Sequence, residues 1–182
     1  MPAGDRERWD KRWSQAGPVG EPPRILRDHG HLLPTTGDAL EIACGLGAGA
    51  LWLAQSGLRV QAWDVSPVAV ERLAAEAARR AVSLEALVRD VVEAPPEPAS
   101  VDVLLVTRFL DRALLPALRS ALRPGGLLLL QTFWGPRIER GPRRDAWRLR
   151  AGELPEIAAE LEVLVAEEGD DEEAVLIARR RP

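Results

Sequence analysis

The chain has very little sulfur chemistry to draw on: one cysteine, Cys44, and one methionine in 182 residues. A single thiol excludes a disulfide framework and any zinc site built on four cysteines. Two histidines, His29 and His31, are too few for a histidine-rich metal centre. Lys11 is the only lysine among 24 cationic residues, so the other 23 are arginine. Asn and Tyr are absent, a bias that GC-rich codon usage or heat adaptation would each produce. No apolar run approaches the ~20 residues needed to span a bilayer, and the one around Gly126–Leu130 is strand-sized. The first ten residues are charged and show no basic leader with an apolar core, so a cytoplasmic location is expected. A net charge of −4 argues against nucleic-acid binding through the general surface.

What is present is a regular alternation. Asp5–Gln15 places Trp9 and Trp13 four residues apart among charges, the spacing of a short amphipathic helix. Gly17–Pro23 breaks it, and Arg24–Thr36 reads as a loop or short helix. Ala39–Ala43 then reads as a buried strand, Cys44–Gly49 as a glycine-rich turn, and Ala50–Ser56 as a helix stopped by Gly57. Leu58–Trp63 is the next strand. Ser66 caps a helix that has Pro67 in its first turn and runs to about Arg80. Leu84–Val88 is a third strand, Glu93–Ala99 a proline-rich turn, and Val101–Val106 an apolar fourth strand. Asp111–Leu122 is predicted as a helix closed by Pro124-Gly125-Gly126, with a fifth strand over Leu127–Phe133. After an arginine-rich loop, Trp134–Arg150, come a helix over Glu153–Glu160 and a hairpin of Leu161–Ala166 and Ala174–Ala178. Its acidic tip, Glu167–Glu173, reads as solvated. Apolar strands alternating with amphipathic helices imply an α/β fold with a doubly wound, mostly parallel sheet. Ligands in such sheets bind outside the carboxyl ends of the strands.

The strongest local signal is Glu41-Ile-Ala-Cys-Gly45-Leu-Gly47-Ala-Gly49, at the first strand-to-helix turn. Glycine there lets the backbone approach a nucleotide-like ligand, and the helix start offers N–H groups. Asp64, at the end of the second strand, can accept hydrogen bonds from ribose hydroxyls, or it can cap the next helix beside Ser66. Asp90 follows the third strand, where an acid can accept the adenine amine or simply be a solvated loop residue. Gly45, Gly47 and Ala50 also meet a relaxed dinucleotide fingerprint, which keeps an NAD(P)-linked oxidoreductase as the alternative enzyme.

Taken in order, Glu41-x-x-Cys-Gly45-x-Gly47, Trp63-Asp64-Val-Ser-Pro, Asp90, Val101-Asp102-Val-Leu-Leu-Val and Leu122-Arg-Pro-Gly-Gly-Leu resemble the class I S-adenosylmethionine-dependent methyltransferases. The resemblance is strong over Asp38–Phe133 and looser elsewhere. Arg8-Trp9-Asp10-Lys-Arg-Trp13 is similar to the N-terminal helix of small bacterial TehB-like and thiopurine-like members. The resemblance implies a Rossmann-like sheet of seven strands, the last antiparallel. It also implies S-adenosylmethionine as cofactor, lined by Glu41, Ala43, Cys44, Gly45, Gly47, Asp64, Val65, Asp90, Val91 and Thr107. The expected organisation is one methyltransferase domain, with residues 1–36 as an N-terminal helix or lid, 37–182 as the cofactor-binding core and 134–150 as a substrate loop.

Methyl transfer depends mainly on positioning, because the donor is already activated. The fourth strand ends Val106-Thr107-Arg108-Phe109 and lacks the Asn/Asp-Pro-Pro-aromatic pattern of enzymes that act on nucleic-acid or protein nitrogen. A small-molecule acceptor is therefore expected, and nucleic acid or membrane is not. Arg108 and Arg112 are the candidates for holding an anionic acceptor, one helical turn apart if a helix begins near 108. Arg137, Arg140, Arg143 and Arg144 could join them or be solvated loop charges. Trp134 and Trp147 could line a pocket or pack the loop, and Trp9 and Trp13 could form a lid or simply dock. A cofactor-binding protein without catalysis is the remaining reading.

Overall fold

The computed structural model describes residues 4–137, 139–169 and 171–182. Among these, seven strands form one sheet in the order β3-β2-β1-β4-β5-β7-β6. The strands are β1 (Asp38–Ile42), β2 (Arg59–Asp64), β3 (Glu85–Val88), β4 (Val101–Thr107), β5 (Leu122–Phe133), β6 (Glu162–Glu168) and β7 (Glu173–Arg179). Parallel ladders join β3, β2, β1, β4 and β5, whereas β7 runs antiparallel between β5 and β6. This is the doubly wound sheet the alternation predicts, with its last strand reversed. Composition explains the order. β4 and β7 are almost wholly buried and sit inside the sheet; β6 carries Glu162, Glu167 and Glu168 and forms a charged edge that resists further pairing.

The helices are α1 (Asp5–Ser14), α2 (Arg24–His29), α3 (Ala48–Gln55), α4 (Pro67–Arg79), α5 (Leu115–Ala121) and α6 (Leu154–Ile157). α2, α3 and α4 cover one face, where Ile25, Leu51, Leu53 and Leu73 meet Val60, Val103, Leu105 and Ile177. α5 and α6 cover the other, where Leu118 and Ile157 meet Leu104, Leu128 and Leu176. Between β3 and β4 the chain makes only the proline-rich turn. There the Arg89 guanidinium lies 3.9 Å from the Trp63 ring centre and donates to the carbonyls of Ala94 and Pro95.

Three boundaries differ from expectation. α5 begins at Leu115, not near residue 108 or 111, because the Asp111 carboxylate accepts the Ala113 N–H at 3.0 Å and closes a turn first. Arg108 and Arg112 are therefore not on one helix. β5 begins at Leu122 and runs through Pro124-Gly125-Gly126, which does not close a helix. Gly125 (φ 80°) and Gly126 instead exchange 2.8 Å bonds with Arg180 at the amino edge of the sheet. α6 is a single turn, four residues long, and the chain leaves it at Glu160 with φ 68°.

Candidate active site

The strand order reverses between β1 and β4, so the crevice of the sheet opens at their carboxyl ends. The glycine loop lies there. After β1 the backbone turns left-handed at Ala43 (φ 50°), Gly45 (φ 53°) and Gly47 (φ 72°), a sequence of bends that opens α3. A Cβ on Gly45 would stand 2.7 Å from the Trp13 ring, and one on Gly47 would stand 2.4 Å from Leu73. The loop therefore needs glycine both for its dihedrals and for the groups packed on it.

Two buried carboxylates hold the loop in place. Glu41, only 1% exposed, accepts the Ala50 N–H at 2.7 Å and a hydrogen bond from the Thr107 hydroxyl. It takes one of the N–H groups that a helix start leaves without an internal acceptor. Burial pushes its pKa up to about 8; the Asp64 charge adds to this, and the two hydrogen bonds oppose it. Gly49 must be small because Glu41 Oε1 stands 2.6 Å from where its Cβ would be. Asp64 accepts the Gly45 N–H at 2.7 Å with one oxygen and the Ser66 N–H at 2.9 Å with the other. Its pKa is raised first by burial and further by Asp10, against the pull of those N–H groups. Each carboxylate oxygen keeps a second lone pair, which is what a pair of ribose hydroxyls needs. Ser66 meanwhile caps α4 by accepting the Ala69 N–H at 3.2 Å.

The other residues implied for the cofactor are distributed around this loop. Cys44 is buried with its thiol pKa pushed up, first by burial and then by Glu41 and Asp64, so it is a packing residue rather than a nucleophile. Val65 and Val91 are buried, and Thr107 ends β4 against Glu41. Asp90 accepts the Val92 N–H at 2.9 Å in the turn after β3.

α1 lies across the loop. Arg72 of α4 donates to the carbonyls of Trp13, Ala16 and Gly17, and Arg6 donates to that of Val65. Asp10 accepts the Ser66 hydroxyl. Trp9 stacks on Trp13 with centroids 5.8 Å apart, and the Trp13 indole N–H is buried with no hydrogen-bond partner. Arg8 reaches from α1 to Trp147, 5.3 Å away, and Arg144 lies on the same ring at 4.7 Å. The N-terminal helix and the 134–150 loop thus meet above the carboxyl edge.

The arginines sort into distinct jobs. Arg112 donates to both oxygens of Glu153, at 2.5 and 2.7 Å, and to the carbonyls of Ala146 and Arg148. Its fork pins the end of the loop and is occupied throughout. Arg108 has φ 53°, a left-handed conformation uncommon for a side chain of this size. Its Nε and Nη2 lie 3.1 and 3.0 Å from Glu173 Oε1, yet its side chain is 58% exposed. Arg140 approaches the same oxygen at 3.5 Å. Arg148 is 1% exposed; it donates to the carbonyls of Trp134, Gly135 and Arg140 and pairs with Glu172 at 2.7 Å. Glu172 in turn accepts the N–H groups of Glu139 and Arg140. Glu172 and Glu173 were expected in a solvated tip but are buried, because β7 inserts between β5 and β6 and carries them under the loop. Gln131, Arg148, Glu153, Glu172 and Glu173 escape sequence reasoning for the same reason: only the fold brings them together. His29 faces Glu167 at 3.7 Å on the last hairpin. Among the described residues no group of three or more His, Cys, Asp and Glu could hold a metal, and no helix is long and apolar enough to cross a membrane.

Residues 39–126 match the family model described as a methyltransferase domain. No curated protein matches the sequence. Among solved structures, TehB from Haemophilus influenzae superimposes with a TM-score of 0.75 at 18% identity, over 97% of this chain and 67% of that one. A SAM-dependent methyltransferase from Aquifex aeolicus gives 0.70 at 17%, over 96% and 98%. Coclaurine N-methyltransferase bound to N-methylheliamine and SAH gives 0.64 at 20%, over 79% and 48%. The glycine loop and the acid ending β2 lie within residues 39–126, the stretch that matches the methyltransferase-domain model, and the chain has the fold of these solved structures.

Proposed function

We propose that the protein methylates a small anionic molecule, bound at the carboxyl edge of the sheet between the glycine loop and the 134–150 loop. The observation that carries this reading is the placement of Arg108: it directly follows β4, the strand beside the glycine-loop strand β1, and keeps over half its side chain in solvent. Gly45 and Gly47 would hold the methionine end of the cofactor, Asp64 its ribose, and the turn at Asp90 and Val91 its adenine. Val65, Thr107, Ala43 and Cys44 would close the walls. Glu41 would act indirectly, by holding the loop. Bound S-adenosylmethionine supplies an electrophilic methyl group on a sulfonium, so an ionised oxygen or sulfur acceptor needs no dedicated base. What the chain must provide is direction, and Arg108 supplies it through a planar fork suited to carboxylates and other oxyanions. Burial of the site beneath α1 limits water.

The test is calorimetry with SAH and with NAD, followed by a turnover screen over thiols, carboxylates, oxyanions and nucleic acids. The reading expects SAH binding and turnover of an anionic small molecule. NAD binding without SAH binding favours the oxidoreductase; SAH binding with no turnover across the panel favours a non-catalytic binding protein.

A further inference from the structure

The two groups that would grip an anionic acceptor come from distant parts of the chain and meet on one buried carboxylate. Glu173 opens β7, and its side chain is 4% exposed. One oxygen, Oε2, accepts from the Gln131 amide, whose carbonyl in turn accepts the Ile25 N–H at 2.8 Å, so the carboxylate cannot swing. The other, Oε1, faces Arg108 and Arg140, whose side chains are 58% and 50% exposed. One negative charge is set against two positive ones. The Asp171 carboxylate accepts the Glu173 N–H at 3.2 Å, and both guanidinium groups stand partly in solvent next to the glycine loop's neighbouring strand.

The rest of the cluster fixes Arg140 in place. Its N–H donates to Glu172 at 2.8 Å, and its carbonyl accepts from Arg148 at 2.8 Å. Arg148 and Glu172 are buried and pair with each other, so they cancel in charge. A buried ion pair is a costly way to gain stability, and its best use is to fix a register. Here the register it fixes is that of residue 140. At Arg108 the left-handed backbone does the same job, turning the side chain back over the Phe133 ring, 6.0 Å from its centre. Arg112, the partner that sequence spacing suggests, has its fork filled by Glu153 and two carbonyls.

We infer that Arg108 and Arg140 form a two-arginine clamp for an oxyanion of the acceptor, such as a carboxylate, with Glu173 as the positioning residue that aims both forks. This rests on the proposed methyltransfer to an anionic small molecule, and it names the groups that select that molecule. Guanidinium forks share a carboxylate between them by charge-assisted hydrogen bonds, and losing one fork costs at least about tenfold in affinity.

The experiment uses the full chain with benzoate and phenyl phosphate as probes, benzamide as the uncharged control, and tryptophan fluorescence as the readout. SAH affinity is measured in parallel by calorimetry. Saturable binding of benzoate or phenyl phosphate is expected, and the tighter of the two identifies the preferred oxyanion; benzamide is expected to bind at least tenfold more weakly. Arg108→Ala and Arg140→Ala should each lose tenfold or more for the anion, with SAH affinity within twofold of wild type. Arg140→Lys should recover only part of the loss, since it restores charge without the fork. Arg143→Ala removes the same charge from the same loop and should change binding less than threefold. Glu173→Gln removes the compensating charge and leaves one acceptor to serve either the arginines or the Gln131 amide, so its fold is checked by circular dichroism first. It should tighten the anion while lowering discrimination between benzoate and phenyl phosphate, a change that a merely structural role would not produce. The clamp is refuted if neither anion binds, if benzamide binds as well as benzoate, if Arg140→Ala binds like wild type, or if Arg143→Ala costs as much as Arg140→Ala. Failure of SAH to bind refutes the cofactor reading instead, and the anion data then stand apart from it.

Discussion

Glu41→Gln should abolish the pH dependence that this one carboxyl imposes on the fold. Glu41 is buried, with its pKa raised from 4.5 to about 8 by desolvation. A carboxyl raised in the folded state favours folding below its unfolded pKa, where it is neutral in both states. It opposes folding progressively as pH rises from about 4.5 toward 8, because the unfolded chain ionises freely and the folded one does not. At 1.36 kcal/mol per pKa unit, the cost at pH 7 is about 3 kcal/mol, against under ~1 kcal/mol at pH 5 and about 4–5 kcal/mol at pH 9. Gln keeps the bond from the Ala50 N–H and turns its amide toward the Thr107 hydroxyl, which can accept. It has no charge to desolvate. For a domain of this size each kcal/mol moves Tm by roughly 2–4 °C. The Tm of Glu41→Gln minus that of wild type should therefore climb by roughly 8–16 °C between pH 5 and pH 9, measured by circular dichroism on cofactor-free protein. Taking the difference removes the titration of every other group that the substitution leaves alone. Parallel Tm curves across that range would refute the claim that Glu41 is held neutral under α3.

Further predictions follow from the same geometry. Asp64→Ala should weaken SAH by about 1.5–3 kcal/mol in calorimetry, the range for hydrogen bonds to a charged group, and an unchanged Kd removes Asp64 from the site. Gly45→Val should abolish SAH binding while the chain stays folded by circular dichroism, since it puts a branched residue at φ 53° against Trp13; normal binding would make the loop a plain structural turn. Arg148→Met breaks a buried ion pair from one side and should cost about 3–5 kcal/mol in urea unfolding, whereas the double change Arg148→Met, Glu172→Met should recover much of it. Glu153 is held at a pKa of about 2, chiefly by Arg112, so the stability it adds is present above pH 4.5 and is lost as pH falls toward 2. Protease sensitivity of the 134–150 loop should rise over that window in wild type and already be high at pH 7 in Arg112→Ala.

Periodicity found the sheet because its signals are local. Apolar runs of strand length, the turn at Pro95–Pro98 and the Ser66-Pro67 helix start each depend on neighbours within a few residues, and each is where expected. The same locality explains the misplaced start of α5. Asp111 is as good a turn closer as a helix starter, and the Asp111–Ala113 bond settles which it is. It also explains the paired reading of Arg108 and Arg112. A spacing of four residues puts two side chains together only on a helix, and no helix is there.

The sequence by itself marked the glycine loop and the acid that packs against it. Gly45, Gly47 and Asp64 lie within twenty residues on one strand-turn-helix-strand unit, and left-handed backbone and a strand-end acid leave residue-type signatures. It could not show which charged groups meet beneath the 134–150 loop. Arg108, Arg140 and Glu173 are 65 residues apart at the extremes and converge only because β7 reverses direction and inserts beside β5. That insertion buries Glu172 and Glu173, which in isolation look like a solvated acidic tip, and it gives two exposed arginines a common carboxylate. Burial of charge is decided by which strand lies next to which, and that is a property of the whole sheet rather than of any segment of it.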